Sequence, residues 1–282
     1  MKQITIISGK GGTGKTTVAA SLAALAKNAV MADCDVDAPD LHLVLKPEVE
    51  KQEDFIGTKV AVKKKDCSMC GKCHEVCRFG AISEEIEIDE GKCEHCGACA
   101  FVCPENAIEM EDRVTGTVYT SKTRFGRMVH ADLRVGGEAS GKMVTKVRRE
   151  AQQLAGADGL IIIDGSPGIG CPLIASITGV DLVLVVVEPT VSGIHDMERV
   201  IDVARHFGIH VLVCVNKHDI NAENTKKIED FCKEQGFTVV GRLPYDKVTT
   251  DAMINEKTVV EYSDSEMSRG LKKVWEKVKV LV

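Results

Sequence analysis

No stretch of this 282-residue chain approaches the roughly 20 consecutive apolar residues that a helix needs to cross a bilayer. It also lacks an excess of positive charge: 36 Lys and Arg against 42 Asp and Glu leave a net charge of -6. That balance argues against a dedicated nucleic-acid binder and leaves room for no more than a local basic patch. Instead of a charged and then apolar leader, the first residues read as a strand, "ITIIS", so a cytoplasmic protein without stable membrane association is expected. Aromatics are scarce, at 4%. Cysteine is abundant, with 12 residues. In a small secreted protein that would suggest disulfides, but eight of the 12 stand at metal-ligand spacing, which points to reduced thiolates.

At 44% hydrophobic and 28% charged, the rest is ordinary globular composition, enough for one large domain carrying a smaller one. The strand at 4–8 feeds a Gly-rich turn and then the helical run "KTTVAASLAALAK"; "AVMAD" (29–33) follows as a second strand. "GTVYTSKT" and "GRMVHADL" read as strands, and "ASGKMVTKVRREAQQLA" as an amphipathic helix. "GLIIID", "DLVLVVV" and "HVLVCVN" are continuous apolar runs between helical stretches, as strands covered on both faces of a parallel sheet should be. With "GKGGTGKT" (9–16) between the first strand and helix and two C-x2-C-x2-C-x3-C runs between 67 and 103, the expectation is a doubly wound, mostly parallel α/β domain of the P-loop NTPase class over residues 1–60 and 111–282, interrupted by a small ferredoxin-like domain over 61–110.

"GKGGTGKT" (9–16) fits G-x-x-x-x-G-K-T in the strand-to-helix context that gives that pattern meaning. Backbone amides over Gly11, Gly12, Thr13, Gly14, Lys15 and Thr16 are suited to cradle phosphate oxygens, with Thr17 continuing the nucleotide-binding run. Lys15 would neutralise the β and γ phosphates, and the Thr16 hydroxyl would ligate magnesium. Two loops lie where open α/β sheets bind ligands. "DCDVD" offers Asp33 and Asp35; "IIIDGSPGIG" offers Asp164. Asp164 suits ordering of magnesium and Asp35 orientation of the attacking water, although a carboxylate at a strand end also serves as a helix cap. "NKHD" (216–219) places Asn216 where it could reach a base edge, and its likeness to N-K-x-D leaves ATP and GTP both open.

The "KGGTGKT" box, with Lys10 ahead of the glycines, resembles the deviant Walker A box of the MinD/ParA family of ATPases, which includes the nitrogenase iron protein and Mrp-type iron-sulfur carriers. The resemblance covers residues 1 to about 60 and about 113 to 265. It makes "DCDVDAPD" switch I, "DGSPGIG" switch II and "GRLPYD", with Pro244, an adenine-side loop. It implies that Lys10 reaches a partner's phosphates in a homodimer, and that the nucleotide is ATP rather than GTP. It also places Cys171 in the region where the iron protein carries a cluster-holding cysteine, against the alternative of a packed thiol.

Between the two parts of that domain, Cys67, Cys70, Cys73 and Cys77 recur at a fixed interval as Cys93, Cys96, Cys99 and Cys103. Each half is C-x2-C-x2-C-x3-C, the run of two-cluster bacterial ferredoxins, in which the fourth cysteine ligates the other cluster. One 4Fe-4S cluster is thus expected on Cys67, Cys70, Cys73 and Cys103, the second on Cys93, Cys96, Cys99 and Cys77. Structural zinc is the rival, but it has no use for the third close cysteine of each half. Arg78 stands where the second half has Pro104. Cys34, Cys214 and Cys232 read as packed thiols, His130 and His195 as lone histidines without metal-spaced partners. The tail "EMSRGLKKVWEKVKVLV" is amphipathic, fit to dock on the sheet or to lie on a membrane surface.

The functional expectation is a homodimeric ATPase whose cycle gates electron transfer through two 4Fe-4S clusters to a redox or metallocofactor partner protein. The alternatives are an iron-sulfur or metallocofactor assembly carrier and, third, a redox-sensing positioning protein of the MinD/ParA kind.

Overall fold

The computed structural model describes residues 1–64, 66–134 and 140–282. It divides into two compact units: Met1–Glu53, Val118–Asp132 and Ser140–Val282 form the first, Asp54–Thr117 and Leu133–Ala139 the second. Nine strands in chain order are β1 (Lys2–Ile7), β2 (Val30–Asp33), β3 (Glu48–Lys63), β4 (Ile108–Thr123), β5 (Gly126–Leu133), β6 (Leu160–Asp164), β7 (Leu182–Val187), β8 (His210–Asn216) and β9 (Thr238–Leu243). They form one sheet in the order β3-β4-β5-β2-β6-β1-β7-β8-β9.

In the first unit, β2 pairs parallel with β5 and β6, β1 with β6 and β7, and β8 with β7 and β9. The order runs outward from β1 on both sides, which opens a crevice at the strands' carboxyl ends where the direction of winding reverses. Register sharpens this: Ile6 of β1 and Asp33 of β2 both lie opposite Asp164 of β6. The loops after all three strands therefore start at one level. Ile4, Ile6, Met31, Ile162 and Leu184 are buried on the sheet under the helix Lys15–Ala26, whose small alanines let it approach closely.

The tail forms the helix Glu266–Val278, with Met267, Leu271, Val274, Trp275 and Val278 buried. Its fit needs Gly241 in β9, because a Cβ there would lie 2.4 Å from Val274 Cγ2. The apolar face is spent on the core, which resolves the two readings of the tail in favour of docking on the sheet. Among the described residues no helix is long and apolar enough to cross a membrane.

Two strands are longer than sequence patterning suggested. Nothing in the sequence pattern marked β3, and the strand read at "GTVYTSKT" is only the last part of β4. Both are 16 residues long and largely exposed or half-buried, so neither carries a continuous apolar run.

The second unit is built on a repeat. Helices Lys72–Val76 and Ala98–Phe101 follow Gly71 and Gly97, both at positive φ, and Met69 matches His95 in the same way. Ala61, Cys73, Ile82, Ile86, Cys99 and Ile108 form its small core.

Candidate functional site

The loop between β1 and the Lys15–Ala26 helix ends on Gly14, whose φ of 88° is left-handed and whose Cα faces the Asn216 side chain so closely that a Cβ would sit 2.3 Å from Nδ2. Glycine alone satisfies both conditions. Within the helix the first carbonyl-bonded amide is that of Val18, on Gly14 O at 3.1 Å, so the earlier amides remain available to an anion. They line a cavity of about 490 Å³ together with Gly11 to Gly14, Asp35, Asp37 and Asp40.

Lys15 is buried at the floor of this cavity, its Nζ 2.8 Å from Asp164 Oδ1 and 3.3 Å from Asp35 Oδ2. Burial by itself lowers the pKa of the ammonium, but Asp164 and then Asp35 outweigh it and hold it above the ordinary lysine value. Asp33 is wholly buried; its two oxygens accept the amides of Asp35 and Leu41, each at 3.2 Å. Burial, reinforced by Asp164 and opposed by Lys15, raises its pKa well above the carboxylate range, and burial raises that of Asp35 too. The second oxygen of Asp164, Oδ2, is buried without a hydrogen-bond partner. A buried, unpaired carboxylate oxygen beside a phosphate cradle is an acceptor suited to a cation or its water shell.

The structure therefore gathers Gly11, Gly12, Thr13, Gly14, Lys15, Thr16, Thr17, Asp35 and Asp164 at one place. Four other residues of the sequence reading sit elsewhere. Lys10 turns away from the cavity: Nζ is 2.5 Å from Glu188 Oε1, 3.2 Å from Thr190 Oγ1 and 3.1 Å from Ser192 Oγ. Asn216 lies buried behind the loop, donating from Nδ2 to Thr13 O at 2.7 Å and accepting Lys217 N–H on Oδ1. Its amide braces the phosphate loop in this structure rather than presenting a free edge to a base. Asp219 likewise accepts the Tyr245 amide at 2.7 Å, and Pro244 is half-buried in that loop, outside the cavity lining.

Sequence reasoning missed Glu188 and Lys217. Glu188 bridges Lys10 and Lys217 (3.1 Å), and Lys217 donates to Gly12 O at 2.9 Å. Burial raises the Glu188 pKa, but the two lysines prevail and lower it. The available signal was position: Glu188 directly follows β7 at the ligand-bearing edge. Among the remaining thiols, burial pushes Cys214 up to about 12 and Cys232 up to about 11, and raises Cys34 further still, as packed thiols should behave. Cys171 is exposed at the start of the helix Cys171–Ile177. His130 packs edge-on against His42 and Tyr119, and burial lowers its pKa to about 4; His195 is on the surface.

In the second unit the eight cysteines line two cavities. Cys67, Cys70 and Cys73 share one with Cys103; Cys93, Cys96 and Cys99 share the other with Cys77. The fourth thiol of each set thus comes from the opposite half of the repeat. Among the described residues no three Cys, His, Asp or Glu converge on a point fit for a single metal ion.

Comparison with known proteins adds three findings. The profile of the CobQ/CobB/MinD/ParA nucleotide binding domain matches residues 4–259. The uncharacterized protein MJ0578 of Methanocaldococcus jannaschii is 37% identical over 283 residues, covering 99% of this chain and 97% of its own. In fold, the chain is similar to the cell division ATPase MinD of Pyrococcus furiosus, with a TM-score of 0.62 at 18% identity over 100% of this chain and 99% of that one. It is similar to the same degree, 0.62 at 17% identity over 99% and 96%, to the septum site-determining protein MinD of Pyrococcus horikoshii complexed with Mg-ADP.

Proposed function

The chain belongs to the CobQ/CobB/MinD/ParA nucleotide-binding family and is a P-loop ATPase of that family, and from this premise we propose that its ATP cycle gates electron transfer. The cysteine-rich unit would hold two 4Fe-4S clusters, which would supply one-electron transfer, in a homodimer, to a redox or metallocofactor partner protein. The observation that carries the reading is the exchange of the fourth cysteine: Cys103 joins Cys67, Cys70 and Cys73, and Cys77 joins Cys93, Cys96 and Cys99. A third close cysteine in each half, joined at its cavity by a fourth from the other half, suits a polynuclear cluster better than one tetrahedral zinc. Bound there, such clusters supply one-electron transfer.

At the other site ATP is the substrate. The amides of Gly11 to Thr16 and the Lys15 ammonium would hold its phosphates, and Thr16 with Asp164, whose Oδ2 has no hydrogen-bond partner, would hold magnesium. Asp35 leaves Lys15 for the attacking water when the phosphates draw the ammonium away. That exchange has an outlet in the chain itself. The loop carrying Asp33 and Asp35 leads through the helix Leu41–Leu45, anchored by Asp33 on the Leu41 amide, directly into β3. β3 runs on into the cysteine-rich unit, so a nucleotide-driven shift of the loop pulls on a strand of that unit. In the dimer, Lys10 exchanges Glu188 for the partner's phosphates.

Likeness to MinD proteins favours the positioning reading to a lesser degree. The burial of the tail helix removes its most direct means of holding a membrane.

The test is anaerobic purification of the full chain, measurement of iron and acid-labile sulfide, and an EPR redox titration without nucleotide, with ADP and with a non-hydrolysable ATP analogue. The reading expects two 4Fe-4S clusters and potentials that move by tens of millivolts between nucleotide states, about 0.7 kcal/mol per 30 mV for one electron. Zinc in place of iron overturns the cluster assignment. Clusters with nucleotide-independent potentials overturn the gating and favour cluster delivery to an acceptor.

A further inference from the structure

The two halves of the cysteine repeat can be compared position by position, because the interval that carries Cys67 to Cys93 also carries every neighbour. Three corresponding positions line both cavities and differ in charge. Ser68 at the first cavity answers to Glu94 at the second; Lys72 answers to Ala98; Glu105 at the first answers to Phe79 at the second. The first cavity is thus flanked by one cation and one anion, and the second by an anion alone. A second difference has the same sign: the Ala107 amide donates to Cys103 Sγ at 3.1 Å, a bond to a ligand sulfur of the first cavity.

From these we infer that the two sites are electronically unequal. The site of Cys67, Cys70, Cys73 and Cys103 has the higher reduction potential, and Lys72 and Glu94 set the difference. The inference rests on the cluster reading above and deepens it. Reduction adds one negative charge. Beside Glu94 that charge is repelled; at the first site Lys72 attracts it and offsets Glu105, and the Ala107 N–H stabilises it on sulfur. Arg78 follows Cys77, a ligand of the second site, but it is exposed and does not line that cavity. With clusters bound, an electron from a one-electron donor would rest preferentially at the Cys103 site, no bond being made or broken.

Lys72 and Glu94 are both exposed, so solvent screens their effect. The expected separation is accordingly less than a tenfold difference in the ratio of oxidised to reduced sites at one ambient potential, a tenfold ratio being about 59 mV for one electron.

The experiment is an EPR redox titration of the anaerobic full-length protein at low and high ionic strength, for the natural sequence and for Lys72→Ala, Lys72→Arg and Glu94→Ser. Two potentials are expected, drawing together at high salt. Lys72→Ala should lower the upper potential alone, Lys72→Arg should restore it, and Glu94→Ser should raise the lower one alone. A single shared potential, a Lys72→Ala shift confined to the lower potential, or no shift in either variant overturns the inference while leaving the clusters in place. Absence of any cluster signal is a different failure, that of the underlying reading.

Discussion

Lys15 is a cation set among three carboxylates, those of Asp33, Asp35 and Asp164, and all but Asp35 of this group are essentially buried. Replacing it with alanine removes the countercharge without removing the charges it opposes. Breaking a buried ion pair by deleting one partner costs about 3–5 kcal/mol, because the survivor is left uncompensated. For a unit of this size each kcal/mol moves the midpoint by about 2–4 °C, so Lys15→Ala should melt about 6–20 °C below the natural protein near neutral pH. The penalty must also depend on pH with a definite sign. The folded-state pKa values of Asp33 and Asp35 are already raised, by burial first, and losing Lys15 raises them further. A folded state that binds protons more tightly than the unfolded one gains stability as pH falls. The gap between variant and natural protein should therefore narrow as pH falls toward the raised carboxyl values of Asp33 and Asp35. Nucleotide-free thermal or chemical denaturation at several pH values measures it. A variant as stable as the natural protein, or a gap that widens on acidification, would refute the idea that this ammonium is what keeps the carboxylates tolerable.

Three further outcomes are expected. Lys10→Ala should abolish ATP-dependent dimerisation and hydrolysis, read by light scattering and phosphate release, with nucleotide binding retained; undiminished activity would sink the role given to Lys10. Leu271→Ala, which hollows out the packing of the tail helix, should cost about 2–5 kcal/mol in denaturant unfolding, and deletion of residues 266–282 should unfold the α/β unit. Cys103→Ser should disturb the cluster expected on Cys67, Cys70 and Cys73 and spare the one on its own sequence neighbours Cys93, Cys96 and Cys99, visible as the loss of one EPR signal.

The phosphate loop and the buried strands were legible because each is a local pattern: glycines at a strand-to-helix turn, and apolar runs where both sheet faces are covered. The cysteine repeat was legible in the same way, as a spacing written along the chain, and in the structure its thiols line two cavities. β3 and β4 were hidden, since strands with little burial need no apolar run. Nor could the chain alone reveal that Asn216 faces Thr13, that Glu188 holds Lys10 and Lys217 together, or that Asp164 keeps one oxygen unpaired. Those side chains come from loops separated by up to about 200 residues, and only the register of β1, β2 and β6 and the packing of their neighbours bring them within a hydrogen bond of one another. The tail makes the same point from the opposite direction. Its amphipathic pattern determined that one face must be buried; whether against lipid or protein was decided by the space above Gly241, which only the folded sheet supplies.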